Sequence, residues 1–131
     1  MYNFSNISKE RLATCDPRLQ KIANEVIKKH DCAVLCGHRN EKDQNEAFAS
    51  GRSKLKWPKG EHNKFPSNAM DLAPFVNGYI SFDSNQCYFF AGIVLDTAFE
   101  LDIKIRWGGD WDGDHNLKDQ KFNDLVHFEL I

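Results

Sequence analysis

A chain of 131 residues is long enough to bury a hydrophobic core without disulfides or a structural metal and too short for a second independent unit, so residues 1–131 are expected to form one domain. Seventeen Lys and Arg against nineteen Asp and Glu leave a formal charge of -2, which offers no global positive field for a nucleic-acid backbone. No apolar run approaches the length needed to cross a bilayer, and the segment from Met1 to Arg11 carries polar and charged residues where a secretion signal needs an unbroken apolar stretch.

Leu12, Leu19, Ile22, Ala23, Val26 and Ile27 recur at helical spacing on either side of Asp16-Pro17. That spacing predicts two helices joined at the proline, with Ser8 and Arg11 as an incomplete capping box. Cys32-Ala33-Val34-Leu35-Cys36-Gly37 is a short apolar run that predicts a buried strand in which Cys32 and Cys36 share a face, and Arg39 leaves its end. A polar helix is predicted from Glu41 to Ser50, closed by Gly51. The stretch from Arg52 to Pro66 reads as a long loop of the kind a compact domain keeps for function, and His62 lies in it. Its basic residues Arg52, Lys54, Lys56, Lys59 and Lys64, around Trp57, read as a solvated surface.

Ala69 to Phe75 alternates weakly and ends beside a proline, and Asn77-Gly78 marks a tight turn into Tyr79-Ile80-Ser81-Phe82, which predicts a hairpin. From about Ser84 to Leu101 the residues Phe89, Phe90, Ile93, Val94, Ala98 and Leu101 fall at the spacing of a helix with a broad core face. Ile103 to Trp107 alternates as a strand, Gly108-Gly109 breaks it, an acidic loop follows, and Leu125 to Leu130 alternates as the last strand. Cysteines at 15, 32, 36 and 87 have neither zinc-finger nor redox spacing and read as free, mostly buried thiols of a reducing compartment.

Asp71 and His127 are placed in apolar, strand-like surroundings, where a polar group is costly to bury unless compensated. A metal ion compensates it, and so does a buried hydrogen-bonded Asp-His pair; spacing alone leaves both open. Two imidazoles and one carboxylate, from His62, Asp71 and His127, can make a catalytic zinc site, which leaves Asp124 as a proton acceptor. Asp110, Asp112 and Asp114 resemble the opening of a calcium loop but lack the downstream glutamate of an EF-hand, and a solvated acidic turn is the plainer reading. His30 and His115 are expected to be exposed, and the His38 ring to point away from the face that bears Arg39.

Taken in order, the chain has an N-terminal helical stretch ending in a strand with an arginine, then a His-to-Asp segment closing in Ala69-Met70-Asp71-Leu72-Ala73-Pro74. A helix precedes Ile105-Arg106-Trp107-Gly108-Gly109-Asp110-Trp111, and Asp124-Leu125-Val126-His127-Phe128-Glu129-Leu130 closes the set. Over nearly its whole length this order resembles the zinc peptidases grouped with lysostaphin, the D-alanyl-D-alanine peptidases and the hedgehog signalling domain. It is most similar to the phage endolysins that cut L-alanyl-D-glutamate bonds. The commoner family pattern is Ser-x-His-x-x-Gly-x-Ala-x-Asp, whereas His62 stands nine residues before Asp71 and Gly60 takes the place of the serine. A Pro-Ser form of the motif occurs in related phage enzymes.

The resemblance implies an α+β fold, a small antiparallel sheet that carries zinc on one face and helices on the other. It implies His62, Asp71 and His127 as zinc ligands, Asp124 as the catalytic base, and Arg39 as the contact to the polarised carbonyl or a substrate carboxylate. The implied activity is that of a zinc metallopeptidase cutting the L-alanyl-D-glutamate bond of the peptidoglycan peptide stem. A D-alanyl-D-alanine carboxypeptidase is the nearest alternative, and a zinc-containing wall-binding domain without activity is the other. Some related endolysins carry a calcium-responsive loop in the acidic region, so a regulatory Ca2+ is a further expectation. The protein is expected to be a monomer that accumulates in the host cytoplasm until a separate pore admits it to the wall.

Overall fold

In the computed structural model, which describes residues 1–131, Ser5 rather than Ser8 starts the first helix, α1 (Asn6–Leu12), by accepting from the Ser8 backbone N–H. Ser8 is buried and its Oγ accepts from the Val34 N–H at 3.0 Å, which ties the helix to the first strand. Asp16 caps α2 (Pro17–Lys29) by accepting from Arg18 N–H at 2.9 Å, and Pro17 occupies the first helical position, where a missing N–H costs nothing. The chain continues through β1 (Cys32–Cys36), α3 (Glu41–Ala49), a short 3-10 turn (Glu61–Asn63), β2 (Ala69–Val76), β3 (Tyr79–Ile80), α4 (Ser84–Glu100), β4 (Ile105–Gly108) and β5 (Asp124–Leu130).

The sheet runs β1-β2-β5-β4 with every pairing antiparallel, and β3 adds to β2 through the expected turn at Asn77-Gly78. One face of the sheet presents Met70, Leu72 and Phe128 to a core shared with Leu19, Ile22 and Val26 of α2 and Phe90, Val94 and Ala98 of α4. Because side chains alternate along a strand, Asp71, His127 and Glu129 fall on the opposite face. The layered α+β arrangement with helices on one face is therefore as expected.

Several local expectations differ from what the backbone does. β4 begins at Ile105 and not Ile103, because Asp102 adopts φ 56° and the Ile103 N–H is taken by Ala98 O at 2.9 Å. Gly108 does not break that strand: it is its last residue and pairs with Asp124. Cys32 and Cys36 do not share a face, since the register shifts between Val34 and Cys36; Cys32 enters the core while Cys36 lies opposite Asp71. All four cysteines are free, and Cys15, Cys32 and Cys87 are buried. His30 is only half-exposed, stacked edge-on against Phe90 at 5.4 Å, whereas His115 is exposed. His38 lies beyond the strand, where the Lys64 carbonyl, 3.1 Å from its Nδ1, and the Phe65 ring set its direction. No helix is long and apolar enough to cross a membrane.

Candidate active site

The sheet register places Cys36, Asp71 and His127 side by side, Asp71 being paired with Cys36 on β1 and with His127 on β5. His62 arrives from the 3-10 turn, which is pinned in two ways: the His62 carbonyl accepts from Arg39 N–H at 2.8 Å, and Asn63 Oδ1 accepts from Gly60 N–H at 2.8 Å. His62 Nε2 stands 3.1 Å from Asp71 Oδ1 and His127 Nδ1 stands 3.4 Å from the same oxygen. The two imidazole centroids are 5.0 Å apart. Asp124 Oδ2 is 4.0 Å from His127 Nδ1, and candidate ligand atoms of Asp71, Asp124 and His127 lie within 4.8 Å of one another. The residues singled out in the sequence thus converge, although they come from four separate segments.

The remote nitrogen of each histidine is already committed. His62 Nδ1 lies 2.7 Å from the Gly37 carbonyl, and His127 Nε2 lies 2.7 Å from Glu129 Oε1. A carbonyl oxygen and an ionised carboxylate can only accept, so those nitrogens carry the protons. His62 Nε2 and His127 Nδ1 therefore both face Asp71 Oδ1 and would offer lone pairs to a cation that displaced their protons, the outer-shell pattern that orients histidines toward a metal. The donor set therefore fits a divalent cation.

Electrostatics agree. Burial disfavours charge on both imidazoles, yet the Asp71 carboxylate outweighs it, lifting His62 to about 10 and, with help from Glu129, His127 to about 9. Burial likewise works against ionised Asp71, but the two histidines hold its carboxyl below the usual range. The cluster draws positive charge strongly enough to hold protons, and a bound cation would take their place. Asp124 is pushed up to about 6, first by burial and then by repulsion from Asp71.

Arg39 leaves β1 toward the same cluster. Its Nη1 donates to Gln44 Oε1 at 3.0 Å and its Nη2 stands 3.8 Å from Asp71 Oδ2. Clefts open on either side of it, one bounded by Phe82, Phe122 and Asp124, the other by Leu55, Trp111 and His127.

Residues not singled out in the sequence complete the site. Cys36 has its sulfur within ligating reach of His62 and Asp71, a position created by the β1 bulge and invisible to strict alternation. Glu129 is buried and joins His127 to Arg106, whose Nη2 lies 2.7 Å from Glu129 Oε2; its place two residues after His127 was the available signal. Gln44, fully buried on a polar helix, links Arg39, Asn63 and the Leu55 carbonyl, and no periodicity announces it. Apart from this cluster, the carboxylates of Asp110, Asp112 and Asp114 also come within 4.8 Å of one another, and Asp110 Oδ1 is buried without a hydrogen-bond partner.

Across residues 1–131 the sequence matches a family model described as phage L-alanyl-D-glutamate peptidase. It is 31% identical over 137 residues to the L-alanyl-D-glutamate peptidase of Escherichia phage T5, an alignment covering 99% of this chain and 98% of that protein. Among solved structures, the L-Ala D-Glu endopeptidase ChiX of Serratia marcescens matches with a TM-score of 0.79 and 22% identity, over 100% of this chain and 90% of that one, which shows a shared fold.

Proposed function

We propose, for a chain that belongs to the phage L-alanyl-D-glutamate peptidase family, that the cluster is a zinc site held by His62, Asp71 and His127, with Asp124 as proton carrier. The activity is that of a peptidoglycan endopeptidase cutting the L-alanyl-D-glutamate bond of the peptide stem. The observation that carries the zinc reading is the commitment of both remote imidazole nitrogens, which turns His62 Nε2 and His127 Nδ1 toward Asp71. Two imidazoles and a carboxylate suit zinc and leave room for water and substrate.

When bound there, zinc would supply a Lewis acid that acidifies water and polarises the scissile carbonyl. Asp124 Oδ2 takes the proton from the attacking water and hands it to the amide nitrogen as the C–N bond breaks, leaving an L-alanyl carboxylate and a D-glutamyl amine. The place of Asp124 beside His127 and Asp71 puts that oxygen within reach of the proposed ion's water. Arg39 places positive charge beside the developing oxyanion, support whose removal typically costs about 100- to 1,000-fold in turnover.

The acidic loop would hold a second, regulatory cation. Its donors are all carboxylate oxygens, which suits calcium, and the unpartnered Asp110 Oδ1 supports a ligand there. Residues 1–131 are read as one catalytic domain acting as a monomer, stored in the host cytoplasm and active at the cell wall.

The test is incubation of the protein with purified peptidoglycan, with and without a chelator. New glutamyl amino termini that vanish on chelation and return with zinc are expected. Released free D-alanine would point instead to a carboxypeptidase, and zinc binding without any product to an inert wall-binding module.

A further inference from the structure

A glutamyl residue whose amine forms the scissile bond has two carboxyl groups, and a peptide stem continues from only one of them. The other remains as a free carboxylate a few bonds from the cut. An enzyme that closes around this bond must meet that charge with a cation, because a carboxylate taken from water without a partner is costly to bury.

Arg39 and Arg52 both line the three adjoining clefts around the candidate ligands. Arg39 is already engaged by Gln44 at 3.0 Å and faces Asp71 at 3.8 Å. Lys54, farther along the same wall, lies over the Phe122 ring, 5.2 Å from its centroid. Arg52 differs from both. It is exposed, and its side chain's hydrogen bond within the protein runs from Nε to Ser50 Oγ at 2.9 Å, leaving the two terminal nitrogens of the guanidinium fork for a ligand. Gly51, at φ 81°, turns the chain out of α3 in a conformation that favours glycine and so delivers Arg52 to the cleft wall. Asp43 and Glu46 line one of these clefts as well and would repel a substrate carboxylate, so of the two arginines there the Arg52 fork, not engaged by Gln44 or Asp71, is the one left to draw it in.

We propose that Arg52 binds the free carboxylate of the D-glutamyl residue at the scissile bond and makes the enzyme selective for glutamate on the amine side of the cut. This rests on the activity proposed above. Two planar N–H donors match a carboxylate in a way that a lysine ammonium does not.

The test uses a pair of synthetic stem peptides identical except at that group, one carrying the free carboxylate and the other a carboxamide. The zinc-loaded protein is expected to prefer the carboxylate peptide by about 10- to 100-fold in kcat/KM, the range of one charge-assisted contact. In Arg52→Gln that ratio collapses toward one, and in Arg52→Lys part of it survives, with melting temperature and zinc content as in the parent protein. Equal losses on both peptides would make Arg52 structural and overturn the proposal, as would an unchanged ratio, which would assign the carboxylate to Arg39. If the unmodified protein cuts neither peptide nor peptidoglycan, the activity itself is wrong and the proposal falls with it, an outcome distinct from activity with an unchanged ratio.

Discussion

Asp124 and His127 stand 4.0 Å apart, but the roles argued for them separate under mutation. Asp124→Asn keeps the shape and loses the basic oxygen, so turnover should fall by about 100- to 10,000-fold, the usual worth of a positioned acid-base group. Zinc stoichiometry of the same preparation should be unchanged. His127→Ala should lose zinc and turnover together. Because Asp124 lies within the same cluster as Asp71 and His127, loss of zinc from Asp124→Asn would move it from base to ligand. Glu129 acts one step further out. Glu129→Gln retains an oxygen for His127 Nε2 but removes the charge and leaves Arg106 without its ion pair. Chelator competition should then report zinc binding weaker by about 10- to 100-fold; undiminished affinity would reduce Glu129 to a partner of Arg106. The proposed ligands were named in the sequence by residue type together with the resemblance of the motifs that hold them. Gln44 and Arg52 were not, since an amide and a surface arginine have no distinctive spacing and acquire meaning only from their neighbours.

At the scale of elements, helices and strands were largely legible because their apolar periods were intact, as in α2 and α4. The discrepancies arise where a local backbone device overrides alternation. The bulge between Val34 and Cys36 moves a thiol from the expected core face to the site. Gly108 was read as a breaker, yet it allows β4 to approach β5: a Cβ there would collide with the Asp124 carbonyl. Gly108→Ala should therefore cost about 1–3 kcal/mol of stability, as overpacking typically does. It should also lower kcat with zinc still bound, because the atom displaced belongs to the proposed base. A melting curve and a rate measured on one preparation check both. Asp16 caps α2, and Asp16→Ala should cost about 1 kcal/mol near neutral pH. Its hydrogen bond with the Arg18 side chain is the leading cause that holds the Asp16 carboxyl below 3.8. A depressed folded value means that the stabilisation is present above the unfolded value and lost as pH falls through the folded one. Urea titrations of parent and variant should differ near neutrality and converge in strong acid.

For the whole molecule, the site ties together both halves of the chain, since β1, the 3-10 turn, β2 and β5 each contribute to it. A cation bound there stabilises only the folded state. Free zinc at about 100 times its dissociation constant adds about 2.7 kcal/mol, and for a chain of 131 residues that corresponds to roughly 10 °C in melting temperature. Chelation should lower the transition by that order and zinc should restore it. A melting temperature indifferent to zinc would remove the ion from the site. The sequence by itself determined the order of the elements, because backbone periods are properties of neighbouring residues, and its ordered motifs named the candidate ligands through their resemblance to a known family. Only the tertiary structure decided that His62, Asp71 and His127 meet, that Cys36 and Glu129 join them, and that Arg52 stands on the cleft wall. Distances between remote segments follow from strand register and from the turns that deliver each side chain, and neither is encoded in spacing along the chain.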